Sequence, residues 1–205
     1  MAKIKFTKGE LKRQRDALKQ YQRYLPTLQL KKQQLQLEIL QQNNLLLEKA
    51  SAKDKKKYAA RLWAGLLVDL GAEVRKWLVP SSIITGIKNV AGVNLPVFER
   101  AEFAEAEYDL FSTPLWLDFA IDALRQIVSL EREAKVLKAG LEILKHELRI
   151  TTQRVNLFEK VKIPQALEAI RLIKIYIGDQ MANAVGRSKA AKRKIELAQL
   201  VEVAA

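Results

Sequence analysis

Between residues 116 and 162 the apolar positions recur every third and fourth residue: Trp116, Ala120, Ala123, Ile127, Leu130, Ala134, Leu137, Leu141, Leu144, Leu148, Thr151, Val155 and Phe158. One register is held for about six heptads, which commits the stretch to a long helix lying against another helix. No other pattern in the chain restricts the fold as much. A second apolar row, Val136, Ile143, Ile150 and Leu157, runs beside this seam, each residue just before a seam position. A two-stranded coiled coil needs only the seam, so the extra row implies contact with more than one neighbour. A helical bundle with a broad core face would show the same width.

The N-terminal part of the chain supplies a partner. Thr7-Lys8-Gly9-Glu10 has the form of a capping box, in which the Thr hydroxyl accepts from an early helical N–H and Glu10 reaches back to the cap. A helix from residue 7 to about residue 60 would be roughly 80 Å long. Its own heptad positions are Leu11, Gln14, Leu18, Tyr21, Leu25, Leu28, Lys32, Leu35, Ile39, Gln42 and Leu46. The polar members weaken a coiled coil but help to fix its register. Pro26 removes one helical hydrogen bond and is expected to bend the helix near residues 22–26. Lys53 to Lys57 reads as a solvated basic face. The pattern then turns apolar through Leu62, Trp63, Leu66, Leu67, Leu70, Val74 and Trp77 until Pro80 stops the helix.

Residues 81–113 follow a different rule. Ile83, Ile84, Ile87 and Val90 are β-branched, Ala91-Gly92-Val93-Asn94 has turn composition, and Leu95 to Glu99 reads as a second strand with Pro96 at its start or edge. An acidic run follows: Glu99, Glu102, Glu105, Glu107 and Asp109. Thr113 is placed as the cap of the next helix and Pro114 in its first turn. Ile163-Pro164 marks a bend, after which helical spacing resumes at Leu167, Ile170, Ile173 and Ile177.

These pieces predict an all-α fold, a long antiparallel two-helix coiled coil of N- and C-terminal helices with a small β-hairpin and helical head in the middle. The expected layout is a single elongated domain, with an N-terminal arm at 1–80, a hairpin insertion at 81–113 and a C-terminal arm at 114–205. Folding back would bring Lys3, Lys5, Lys8, Lys12, Arg13, Arg15, Lys19 and Arg23 beside the basic cluster of Arg187, Lys189, Lys192, Arg193 and Lys194. The hairpin and acidic run would lie at the other end.

The chain has 36 Lys+Arg against 23 Asp+Glu, a net charge of +13, which favours acidic partners. A basic coiled coil that binds nucleic acid is the alternative this charge permits, and a membrane-surface helix hairpin is a third. Against nucleic acid, the basic residues gather at one tip and no aromatic–basic interleaving occurs. No apolar run reaches the length of a spanning helix, no signal peptide is recognisable, and cysteine is absent. The expected setting is cytoplasmic. Catalytic and metal-binding patterns are missing: there is no phosphate-binding Gly-Lys-Ser/Thr loop, and His146 is the only histidine. His146 is expected to face solvent. Trp63, Trp77 and Trp116 are expected to pack, and the acidic run to be a solvated face. No catalytic residue, cofactor or metal is assigned.

Three stretches carry a family resemblance: Thr7 to Lys12 with Leu28 to Leu35, Asn89 to Pro96, and above all Arg154-Val155-Asn156-Leu157-Phe158-Glu159-Lys160-Val161-Lys162-Ile163-Pro164. With the helix–hairpin–helix plan, the chain resembles the D subunit of V-type and archaeal-type rotary ATPases over nearly its whole length. Tyr24-Leu25-Pro26-Thr27-Leu28 departs from the family's usual wording, as in a divergent bacterial branch. The resemblance implies a non-catalytic rotor shaft that couples ATP synthesis or hydrolysis to ion transport. The coupling ion, proton or sodium, would be set in another subunit. The implied partners are the catalytic and nucleotide-binding-type subunits of the ring, a small central-stalk subunit, and the socket subunit of the membrane rotor. Nucleic acid binding and direct membrane insertion are not implied. The shaft would be peripheral to the inner face of the membrane. On this reading Lys12, Arg13, Arg15, Lys192, Arg193 and Lys194 form the tip inside the ring. Val136, Ile143, Ile150 and Leu157 receive the second stalk subunit.

Overall fold

The computed structural model describes residues 5–67, 71–109 and 113–204. Its elements are α1 (Lys8–Arg61), a 3-10 turn (Ala64–Leu67), α2 (Gly71–Trp77), β1 (Pro80–Val90), β2 (Val93–Phe103), α3 (Leu117–Leu157), a π turn (Phe158–Lys162) and α4 (Ile163–Ala204). The chain divides into two compact units, one of residues 1–29 with 153–205 and one of residues 30–152.

In the 30–152 unit, α1 and α3 run antiparallel. Lys31 pairs with Glu147 at 3.0 Å, Lys49 with Glu133 at 2.8 Å, and Lys56 donates to Gln126 at 2.7 Å. The α3 partner falls in number as the α1 residue rises, which fixes both direction and register. The predicted seam is the buried or half-buried line of α3, with Ile127, Leu141, Leu144 and Thr151 inside. Its α1 counterpart, Leu35, Ile39, Gln42 and Leu46, turns inward to match.

The hairpin is longer than its composition suggested. Both strands run to eleven residues, with register shifts between Pro80 and Ser82 and between Ile84 and Thr85 that leave one extra residue on each strand, Ser81 on β1 and Glu99 on β2. Pro96 lies inside β2, opposite Ile87, which a two-stranded ribbon tolerates because every strand is an edge. The turn is Ala91-Gly92, with φ of 50° and 78°, the left-handed pair that matches the twist of a hairpin. Asn89 clamps it: its side chain accepts from the Gly92 N–H at 3.1 Å and donates to Asn94 at 2.7 Å.

The hairpin does not extend the end of the coiled coil, as expected from sequence, but folds back along it. Leu95 is fully buried between Leu35 and Leu144, with Val90, Ala91 and Val93 packed around them. Lys88 reaches Glu38 at 3.3 Å. Gly140 gives the close approach on α3: a methyl group there would lie 3.3 Å from the Gln42 side chain and 4.0 Å from Pro96. The base of the hairpin is held by Arg125, which donates to the carbonyls of Ala104 (2.6 Å) and Trp77 (3.3 Å) and lies over the Phe103 ring.

Two helix boundaries differ from expectation. The helix predicted to reach Pro80 stops at Arg61, where bonds from Leu62, Trp63 and Leu66 to the third preceding carbonyl tighten the chain. The break frees α2 to place Val74 against Leu117 and Ile121. Thr113 does not cap α3. Its hydroxyl donates to the Asp109 carbonyl at 2.7 Å, Pro114 opens a turn, and the helix begins at Leu117.

In the other unit, Thr7 caps α1 as predicted, its hydroxyl accepting from the Glu10 N–H at 3.2 Å. Glu10 completes no box; its carboxylate accepts from Gln14 instead. The helix continues through Pro26, and the Thr27 hydroxyl donates to the Tyr24 carbonyl at 2.8 Å. α1 and α4 are antiparallel, with Tyr21 stacked on Phe158 and Phe6 against Tyr176. At Ile163-Pro164 the chain inserts one π turn, a wider turn of the kind found where an intrahelical bond is missing. Ala166, Ala169, Ile170 and Ile173 form the buried line of α4, while Leu167, assigned to that line from spacing, is exposed.

Candidate subunit-binding surfaces

The predicted basic tip resolves into two separate places. Lys12, Arg13 and Arg15 are exposed on the first turns of α1, with Arg13 near Glu10 at 3.9 Å. Lys192, Arg193 and Lys194 are exposed on α4, with Lys192 near Glu196 at 3.7 Å. Phe6 lies level with Tyr176, and the helices diverge in number from there. At a rise of about 1.5 Å per residue, Lys192 lies roughly 24 Å beyond Tyr176 while Lys12 lies about 9 Å the other way. The structure does not bring the two sets together. Lys3 falls outside the described residues. From Gly178 to Leu197 every residue of α4 is exposed, Met181, Val185 and Ile195 included, so this stretch has no cover among the described residues.

The flanking row of α3 is partly open. Val136 and Ile150 are half-buried, Ile143 is 41% exposed, and Leu157, in the other compact unit, is 44% exposed. A larger apolar surface lies where α1 ends and α3 begins. Trp63, Leu66, Trp116, Phe119, Ala120 and Ala123 line a shallow groove of about 440 Å³. Leu62, Phe119 and Leu115 stand beside or within it, at 80%, 80% and 91% exposure. Sequence spacing assigned the tryptophans to packing, and Trp77 and Trp116 do pack in the Val74–Leu117–Ile121 cluster. It named Leu62 and Leu66 as apolar positions without their exposure, and it missed Leu115 and Phe119. The available signal was two i,i+4 apolar pairs, Leu62/Leu66 and Leu115/Phe119, lying off the seam.

The matches to known proteins run along this same helix–hairpin–helix order. The family of the ATP synthase D subunit matches residues 10–193. The chain belongs to this ATP synthase family. It is 43% identical over 195 residues to the V-type ATP synthase D subunit of Borreliella burgdorferi, covering 95% of this chain and 96% of that one. The V-type ATP synthase D subunit of Chlamydia pneumoniae is 36% identical over 201 residues, covering 95% and 94%. A third, from Chlamydia muridarum, is 32% identical over 197 residues, covering 95% and 97%.

His146 is exposed, as its place off the seam predicted. Among the described residues no group of three or more His, Asp or Glu is arranged to hold a metal ion. Glu99 and Glu102 of the acidic run lie on β2, where Glu102 takes Arg100 at 2.9 Å and the Ser82 hydroxyl at 2.8 Å. An exposed pair on α4 perturbs its own titration. A bidentate hydrogen bond from Arg171 holds the Glu168 carboxyl below its ordinary range, and Glu168 in turn raises Arg171. A lowered carboxyl pKa contributes stability above the ordinary carboxylate range, lost as pH falls through the lowered value; solvent screening keeps it small. No helix among the described residues is long and apolar enough to cross a membrane.

Proposed function

We propose that this chain is the non-catalytic central shaft of a V-type ATP synthase, transmitting torque between the membrane ion rotor and the catalytic ring. The observation that carries the reading is membership of the family over residues 10–193, joined to helices paired in both compact units. Coupling would arise from asymmetry: each catalytic interface meets a different face of the shaft, so rotation changes nucleotide affinity site by site. Torque requires stiffness, and the cross-helix pairs at Lys31, Lys49 and Lys56 resist sliding of one helix along the other.

Each surface has a proposed partner within the complex. The uncovered end of α4, with Lys192, Arg193 and Lys194, enters the ring of catalytic and nucleotide-binding-type subunits, and Lys12, Arg13 and Arg15 meet the ring at a different level. Val136, Ile143, Ile150 and Leu157 receive the small stalk subunit. The groove of Trp63, Leu66 and Phe119 seats in the socket subunit of the membrane rotor. The assembly stands at the inner face of the membrane, with no part of this chain inside it.

The test is assembly with the other subunits. The wild-type chain is expected to co-purify with the catalytic ring and to show no ATP hydrolysis alone. Ile143→Lys with Ile150→Lys is expected to lose the small stalk subunit while keeping the ring. Failure of the wild-type chain to co-purify would overturn the shaft reading, and unchanged binding of the small subunit would overturn the assignment of that row. Sequence-independent DNA binding that falls steeply with salt would favour a nucleic-acid protein instead.

A further inference from the structure

Helix α1 carries a second apolar face that the coiled coil does not use. Between Leu30 and Leu47 every exposed residue is Leu, Gln or Asn. Leu30, Leu37, Leu40 and Leu47 are 58–69% exposed. The charged residues of this stretch are turned elsewhere. Lys31 is held by Glu147, Lys32 is half-buried on the seam side, and Glu38 is held by Lys88 of the hairpin. At about 100° per residue the four leucines fall within a stripe roughly 100° wide, on the side of α1 away from Leu35, Ile39 and Gln42. An uncharged leucine face on a chain of net charge +13 excludes two partner classes at this place. Nucleic acid and anionic lipid are both bound through Lys and Arg, and this face exposes neither.

The face is also its own complement. Reversed about its midpoint, between Glu38 and Ile39, Leu30 falls on Leu47, Leu37 on Leu40, Gln36 on Gln41, and Gln33 on Asn44. An antiparallel two-fold contact would therefore set leucine on leucine and amide on amide along the stripe. That self-matching is the requirement of an isologous interface. We infer that the free chain pairs with a second copy of itself through residues 30–47 of α1, antiparallel. Even fully buried, the four leucines of each copy contribute somewhat under about 1,000 Å² in total, short of the usual size of a specific contact, so the pair is weak and forms at high protein concentration. The contact contains no charge while each copy carries +13, so added salt screens the repulsion and tightens the dimer. The pairing rests on this face alone and does not depend on the shaft reading.

Sedimentation of the purified full-length chain across a hundredfold range of concentration tests it. The expected result is a monomer–dimer equilibrium that shifts toward dimer between 50 and 300 mM salt. Leu37→Glu with Leu40→Glu should weaken it at least tenfold at unchanged helicity, and Leu167→Glu on α4 should leave it intact. Because the chain has no cysteine, mixed single variants report the geometry. Leu30→Cys with Leu47→Cys should form an intermolecular disulfide, and Leu30→Cys alone should not. A monomer at every concentration, equal cross-linking of Leu30→Cys with itself, or a dimer indifferent to the glutamates would each overturn the inference. So would preferential cross-linking of Leu47→Cys to another ATP synthase subunit when co-expressed with it; that would assign the face to a heterologous contact.

Discussion

Two polar or strained residues inside helices set the local energetics. Pro26 sits exposed within α1 with no N–H to give, at a cost of about 3 kcal/mol in a helix interior. Pro26→Ala should recover a large part of it, read as a rise in the denaturation midpoint with the denaturant slope unchanged. Gln42 is buried, at 7% exposure, and its side-chain oxygen, beside Gly140, has no hydrogen-bond partner among the described residues. A buried unsatisfied acceptor costs about 1–3 kcal/mol, so Gln42→Met should stabilise the chain by about 1 kcal/mol or more in the same measurement. Gln42 was legible as a seam position. That it would face a glycine was not, because Gly140 lies on another helix and has no periodic signal.

At the scale of elements, the hairpin is the part whose placement depends on one cluster. Leu144 lies fully buried against Leu35 and Leu95, so Leu144→Ala should cost about 2–5 kcal/mol and loosen hairpin and helix pair together. Hydrogen exchange of the β1 and β2 amides would show whether the two open as one unit. Strand composition and the Ala91-Gly92 turn made the hairpin recognisable in the sequence. Its direction was not, because Leu95 reads as an ordinary strand residue until Leu35 and Leu144 are placed beside it. The helix break at Leu62 was hidden for a related reason: the apolar spacing continues across it, and only the demand of Val74 for the Leu117–Ile121 cluster decides where the helix ends.

For the molecule as a whole, the decisive feature is the stretch of α4 that no described residue covers. Deleting residues 178–205 should leave the stability within about 1 kcal/mol of wild type, since every residue from 178 to 197 is exposed. The same deletion should impair coupling of ATP turnover to ion movement in the reconstituted enzyme, measured as the ratio of the two rates. A large loss of stability would show that this stretch is held by contacts within the chain. An unchanged ratio would remove the end of α4 from the coupling path.

Heptad spacing by itself determined that long helices form, which faces they bury, and, through the short insertion, that they pair antiparallel. Those properties follow from the backbone period and from loop length, both of which are local. Tertiary structure alone decided the fold-back of the hairpin, the separation of Lys12 from Lys192 along the helices, and the open leucine face of α1. Each of these depends on which distant residue stands opposite which, and periodicity repeats every seven residues without saying where one helix sits along another. The Phe6–Tyr176 and Lys31–Glu147 contacts supply that missing offset within their own units, because only specific side-chain pairs distinguish one heptad from the next.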